Sequence, residues 1–196
     1  MLKQVDRTTQ TKANIVQAFV TIVKQKPALQ IKVSDITRQA NVDRGTFYRY
    51  FESKDALIED CEEELLNTIY LSRQNILHSL KSVQDFKENP GIIAPLLMTI
   101  ADNLEMMDVL LNRLGNNHFS VKFREFLLDE GMITIDQYSG KTEKIPLKQR
   151  ELFSTATSSA IIGLISLWSH NPDNYTEKDI EEIIGVMATK GFFGIV

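Results

Sequence analysis

Val42-Asp43-Arg44-Gly45-Thr46-Phe47-Tyr48-Arg49-Tyr50-Phe51, followed by Ser53-Lys54 and Leu57, is the stretch that decides how the rest of the chain reads. Asp43 is a good N-cap, so a short helix is expected over about Arg44 to Phe51, and Ser53 caps a much longer one. Phe47 and Phe51 stand four apart on one face, turned toward Ile36, Ala40 and a preceding helix as a miniature core. Arg44, Gly45, Tyr48 and Arg49 lie mostly elsewhere and stay free to face a groove. Arg44 and Arg49 can pair bidentately with guanine or bind phosphate, while Tyr48 and Tyr50 can donate to phosphate and present their rings to sugars or thymine methyls. Gly45 permits close backbone approach, and Thr46 and Lys54 are placed to clamp phosphates. Spacing alone also fits an ordinary arrangement of core aromatics and solvated arginines, since aromatic stripes are common on buried helix faces.

Outward from that stretch, Ile15, Ala18, Phe19, Ile22 and Val23 recur at helical spacing, which predicts an amphipathic helix from about Thr9 to Lys26, stopped before Pro27. Val33, Ile36 and Ala40 predict a short helix from about Ser34 to Ala40, with Lys32 and Ser34 at its start. Asn41-Val42-Asp43 then forms a turn. A tight turn here wants a residue tolerant of positive φ, and asparagine is among the few besides glycine that visit that region routinely. Two short helices joined by so short a turn, after a first amphipathic helix, have the layout of a helix-turn-helix.

The segment Val33 to Leu57, above all the residues from Val42 to Phe51 with Ser53, Lys54 and Leu57, resembles the DNA-binding signature of the TetR family of bacterial transcriptional regulators. Asn41 stands where that family usually has Gly, and Thr37 where a small Ala is commoner. The resemblance implies an all-α protein, with a three-helix DNA-binding head over residues 1–52 and a helical dimerisation and regulatory domain over 53–196. It implies contacts to double-stranded operator DNA from Thr46, Tyr48, Tyr50 and Lys54, which join Lys32, Ser34, Arg44, Gly45 and Arg49 in the candidate DNA-binding set. It further implies a homodimer on a pseudo-palindromic operator, with repression relieved by a small molecule that changes the separation of the two heads. An alternative within the class is control by a protein coregulator docked on the body, in an activator. The segment from Ile161 to Trp168 with the final helix loosely resembles a C-terminal subgroup of such regulators in low-GC bacteria.

Charge supports a divided chain. Residues 1–55 hold ten Lys/Arg against five Asp/Glu, whereas the remainder holds twelve against twenty-one, so a net charge of −4 hides a basic head on an acidic body. A chance distribution of solvated charge is the plain alternative. With 196 residues, 43% apolar and 24% charged, the chain can bury a core without disulfides and fits neither a disordered nor a membrane-embedded class. The lone cysteine, Cys61, gives no disulfide, so a reducing cytoplasm is expected, and its acidic surroundings do not suit a redox sensor. The uncharged run Ala13–Val23 lacks a small-x-small cleavage site, and serines and threonines interrupt the run from Leu152 to Pro172; neither is expected to be a signal peptide or a membrane span.

The body reads as helices. One runs from Ser53 to about Leu80, its acidic residues Glu59 to Glu64 expected to form a solvated face, and residues 85–90 form a linker. Ile93, Leu97, Ile100, Leu104, Met107 and Leu111 predict one apolar helix ending near Gly115, followed by another over about Phe119 to Leu128. Residues 131–146 read as irregular. Leu152, Ala156, Ala160, Gly163 or Leu164, and Leu167 share a face with small residues that allow close helix approach, and Asn171-Pro172 ends that helix. Thr176 to Asp179 resembles a capping box ahead of Ile180, Ile183, Ile184 and Met187. Leu152, Ala156, Ala160, Leu164, Leu167, Ile180, Ile184 and Met187 are the candidate dimer interface, because the resemblance places a four-helix bundle there; completing the monomer's own core is the alternative.

No catalytic constellation appears. His78, His118 and His170 are far apart in sequence, no Gly-rich phosphate loop follows a strand, and no metal, cofactor or enzymatic activity is expected. A small helical enzyme carrying a DNA-binding-like head is the remote alternative. Tyr70, Arg73, Asn103, Arg113, His118 and Trp168 could line an effector pocket, but none is assigned to one.

Overall fold

A computed structural model describes residues 2–79, 93–138 and 146–190, with no strand among the described residues. The helices are α1 (Leu2–Val23), α2 (Val33–Gln39), α3 (Arg44–Tyr50), α4 (Lys54–Ser79), α5 (Ala94–Asp102), α6 (Leu104–Asp108), α7 (His118–Tyr138), α8 (Leu147–His170) and α9 (Glu177–Lys190). A 3-10 turn spans Ala28–Gln30, and a π-helical turn spans Val109–Arg113 after α6. One contiguous apolar core joins α1 to α9, from Ile15 through Phe47, Leu57, Met107 and Phe123 to Ile180. Side chains such as Phe19, Phe47 and Phe123 have lost almost all contact with water, and burial of each contributes about 1.5–3 kcal/mol.

Caps expected from the sequence are in place. The Ala56 N–H donates to Ser53 Oγ at 3.0 Å, opening α4. Thr176 and Asp179 form a reciprocal box: the Asp179 N–H donates to Thr176 Oγ1 at 3.3 Å, and the Thr176 N–H donates to Asp179 Oδ2 at 2.7 Å. Asn171 closes α8, its Nδ2 donating to the Leu167 carbonyl at 3.0 Å.

Four expectations need correction. The apolar helix predicted from Ile93 to Gly115 is broken at Asn103. Its side chain donates to the Thr99 carbonyl at 2.8 Å while its own N–H turns to Ile100 at 3.0 Å, so the ladder is interrupted and α6 starts afresh. Residues 131–138, read as irregular, continue α7, because one glycine within an established helix costs only about 1 kcal/mol relative to alanine; residues 139–145 of that stretch lie outside the described residues, as does the predicted linker 85–90. The acidic run on α4 is not uniformly solvated, since Glu62 is buried. Ile180 is 3% exposed and packs into its own chain's core, so it does not belong with the free face of α8.

Among the described residues α8 is long and apolar enough to cross a bilayer by length and composition, with mean hydropathy 1.4. Its buried face carries Ser154, Ser158, Ile162, Ile165, Trp168 and Ser169, and this face packs on α6 and α7. Head and body are tied through α1. Lys12 pairs with Asp60 at 2.7 Å and Glu64 at 3.5 Å on α4, and Glu105 on α6 receives Lys24 and, at 3.4 Å, Gln17 Nε2.

Candidate nucleic-acid interface

The turn between α2 and α3 follows from where its backbone hydrogen bonds go. Asn41 has φ of 53°, the left-handed conformation expected of it. The Asn41 N–H donates to Arg38 at 3.3 Å and the Val42 N–H to Thr37 at 3.0 Å, the paired bonds of a Schellman ending. Asp43 then caps α3, its Oδ1 accepting from the Thr46 N–H at 2.7 Å. A Cβ on Gly45 would sit 3.1 Å from that Oδ1, so glycine here gives the capping carboxylate room. Bonds from the Thr46 N–H and hydroxyl hold the Asp43 carboxyl below its usual value.

The inner face of α3 is as read from spacing: Phe47 and Phe51 are buried, their ring centroids 5.7 Å apart, beside fully buried Ile36. On the outer side Arg44, Gly45, Tyr48 and Arg49 are exposed, as are Lys32 and Ser34 on the approach to α2. Arg44 Nη2 donates to the Tyr48 hydroxyl at 3.1 Å, with its guanidinium carbon 5.5 Å from the centre of the Tyr48 ring. Arg49 Nη2 donates to Thr46 Oγ1 at 2.9 Å.

Three candidates sit differently from the expectation of free phosphate ligands. Thr46 is half-buried and already bonded to Asp43 and Arg49. Tyr50 is half-buried against the core. Lys54, half-buried at the start of α4, donates its Nζ to the Ala28 carbonyl at 2.7 Å and so ties α4 to the 3-10 turn within the head. Sequence reasoning missed Lys26–Asp35, a 2.6 Å pair that fastens the turn after α1 to α2. Lys26 and the Lys32 N–H together hold the Asp35 carboxyl low.

In the body, three of the residues considered for an effector site have partners of their own, Arg113 with buried Asp108, His118, whose Nδ1 lies 3.1 Å from buried Glu62, and Asn103 with Thr99, while Trp168 is 3% exposed. Asp108 is a hub, reached by His170 Nδ1 at 2.9 Å and Asn112 Nδ2 at 3.2 Å as well as by Arg113. The π-turn brings residues five apart onto one side, which lets Arg113 fold back on Asp108. Cys61 is buried for packing; burial and the Asp60 and Glu64 charges push its thiol up to about 12, so little thiolate forms.

A capped three-helix head with two arginines and a tyrosine on the outer side of its last helix defines a helix-turn-helix DNA-binding protein. Residues 15–61 match the family described as bacterial regulatory proteins, tetR family, and residues 87–190 match the transcriptional regulator C-terminal region. The chain belongs to the TetR family of bacterial transcriptional regulators, and is a regulator rather than an enzyme. The HTH-type transcriptional regulator YvdT of Bacillus subtilis strain 168 is 42% identical over 52 residues, covering 26% of this chain and 27% of that protein. The chain therefore spans about a quarter of that relative's length. A TetR transcriptional regulator from Streptococcus agalactiae 2603V shares the fold with TM-score 0.63, at 24% identity over 96% of this chain and 99% of that one. The regulator FadR of Bacillus subtilis, solved in complex with stearoyl-CoA, does so with TM-score 0.64, at 18% identity over 92% and 98%.

Proposed function

We propose that the chain is a homodimeric, ligand-responsive repressor that reads a pseudo-palindromic operator in the cytoplasm. Residues 1–52 supply the reading head, and residues 53–196 supply dimerisation and response. The observation that carries this reading is the surface of α8: Leu152, Ala156, Gly163 and Leu167, spaced four or seven apart, are all exposed, with Leu152 at 64% and Leu167 at 43%. Exposed leucines separated by small residues on one helical face suit close packing against a second copy. Ala160 and Leu164 flank the stripe half-buried; on α9, Ile184 and Met187 are half-buried, Ile184 against the chain's own core.

DNA contact is assigned to Arg44, Tyr48 and Arg49 on α3, with Lys32 and Ser34 beside them; Gly45 allows α3 to approach, and Tyr50 and Lys54 support the head. The small-molecule response follows the family's mode of action and the stearoyl-CoA complex of FadR. A selection of duplexes from a random pool by the full chain, followed by gel shifts, tests it. Enrichment of an inverted repeat bound two chains at a time, and released by a small molecule such as a long-chain acyl-CoA, is expected. Enrichment of single half-sites bound by one chain would overturn the dimeric reading.

A further inference from the structure

Asp43, Thr46 and Arg49 recur at intervals of three and so line one side of α3, and each is bonded to the next. We propose that Asp43 and Thr46 are positioning residues: the Asp43 carboxylate fixes the Thr46 hydroxyl, whose oxygen holds the Arg49 guanidinium, so that Arg49 and not Thr46 meets the DNA. This rests on α3 being the element that faces DNA.

Hydrogen-bond valence carries the argument. A hydroxyl has one proton to give and two lone pairs to accept with, a carboxylate only accepts, and a guanidinium only donates. The 2.8 Å contact from Thr46 Oγ1 to Asp43 Oδ2 therefore takes the Thr46 proton, and the 2.9 Å contact from Arg49 Nη2 takes one of its lone pairs. The Thr46 N–H is spent as well, on Asp43 Oδ1 at 2.7 Å. A phosphate oxygen is itself an acceptor, so Thr46 has no proton left with which to clamp one. Arg49 is exposed and uses one N–H on the chain, leaving four for DNA. Accepting from a cation makes the Thr46 hydroxyl a better donor to the anion, so the two bonds strengthen each other. Arg44 is held separately, by the Tyr48 hydroxyl. A guanidinium restrained before binding has less rotamer freedom to lose on binding.

The test uses the full chain with Thr46→Val, Thr46→Ser, Arg49→Ala and the Thr46→Val/Arg49→Ala double variant, titrated with the duplex that the wild type selects from a random pool. Thr46→Val should weaken binding about three- to tenfold, the loss expected when one long side chain must be immobilised on binding. Its salt slope should match wild type, Thr46→Ser should bind like wild type, and Thr46→Val should add nothing once Arg49 is alanine. Equal losses in both backgrounds would show that Thr46 contacts the DNA itself and overturn the proposal. A measurement without DNA separates this from the DNA-facing reading of α3. Side-chain 15N relaxation at Arg49 Nε should show an ordered guanidinium in wild type. It should loosen in Thr46→Val and in Asp43→Ser, which keeps a capping oxygen but loses the second acceptor. Equal mobility in all three proteins would refute the chain of bonds even if the wild type bound DNA. A wild type that selects no duplex would refute the DNA-facing reading, while the relaxation result still decides the chain.

Discussion

Replacing Lys122 by Met should destabilise the body far more than an exposed lysine normally warrants. Glu62 on α4 is 1% exposed, and its carboxylate is met by Lys122 Nζ at 2.9 Å and His118 Nδ1 at 3.1 Å, both from α7. The Glu62 contact is also what raises the Lys122 ammonium above its ordinary value. Breaking a buried ion pair by removing one partner typically costs 3–5 kcal/mol, because the remaining charge stays out of water. His118 remains and its side chain is 61% exposed, so part of the penalty is relieved by the imidazole and by water that follows it; about 2–3 kcal/mol is expected. That is a large share of the roughly 5–15 kcal/mol that holds a domain folded. Urea unfolding followed by far-UV circular dichroism reads it as a lowered midpoint. The sign test is the pair: Glu62→Leu/Lys122→Met removes the buried charge together with its partner and should recover most of the loss. A single Lys122→Met cost below about 0.5 kcal/mol, or a double variant no more stable than that single, would refute the claim that Glu62 is a buried charge dependent on α7.

Two further outcomes follow from the same kind of reasoning. Asn41→Ala should cost about 1 kcal/mol in chemical denaturation, since alanine tolerates φ of 53° less well, while Asn41→Gly should not destabilise; equal costs for both would mean the turn is not held in the left-handed region. Burial alone would raise the Asp108 carboxyl, but bonds from Arg113, His170 and Asn112 outweigh it and hold the group below its ordinary 3.8. The unfolded chain therefore takes up the proton first, so this stabilisation is present above about pH 4 and is lost as the pH falls below it. The Tm gap between wild type and Asp108→Asn should accordingly shrink between about pH 6 and pH 3, and a gap that stayed constant would contradict the assignment.

The head was legible because its determinants are local. Asp43 as cap, Asn41 as left-handed residue and Phe47 with Phe51 as inner face are each settled within four residues, and the structure places all of them so. The body was legible only as helices. Apolar periodicity runs on through Asn103, so nothing in the pattern marks a side chain that intercepts the Thr99 carbonyl and breaks the helix. A glutamate inside Glu59–Glu64 looks like its solvated neighbours; only the arrival of Lys122 and His118 from a helix 56 or more residues away distinguishes Glu62. Ile180 and Leu152 were alike as stripe residues, yet α9 turns the first into the core and α8 leaves the second 64% exposed. The Thr46 hydroxyl was read as a free donor because residue type gives capacity, whereas availability depends on which neighbours have already taken the proton.

That difference between Ile180 and the face of α8 decides where the proposed dimer would be broken without unfolding its subunits. One recognition helix covers only a few base pairs, so operator-level selectivity needs two heads at a set separation, about 34–36 Å for adjacent major grooves on one face of B-DNA. Ala160 is half-buried, so a charge there would strain the subunit as well as the contact; Ala156 is exposed, and a carboxylate there stays in water as long as the chain is alone. Placed in a helix-to-helix interface, the same carboxylate would be desolvated without a partner, once on each subunit. Ala156→Glu should therefore keep the wild-type helix content and unfolding midpoint at low concentration, sediment as a monomer, and lose specific operator binding while the basic head retains weak, salt-sensitive attachment to any duplex. A variant that sedimented as a dimer would show that this face is not the interface, and a monomer that bound the operator with full affinity would show that the two heads need not be joined to read it.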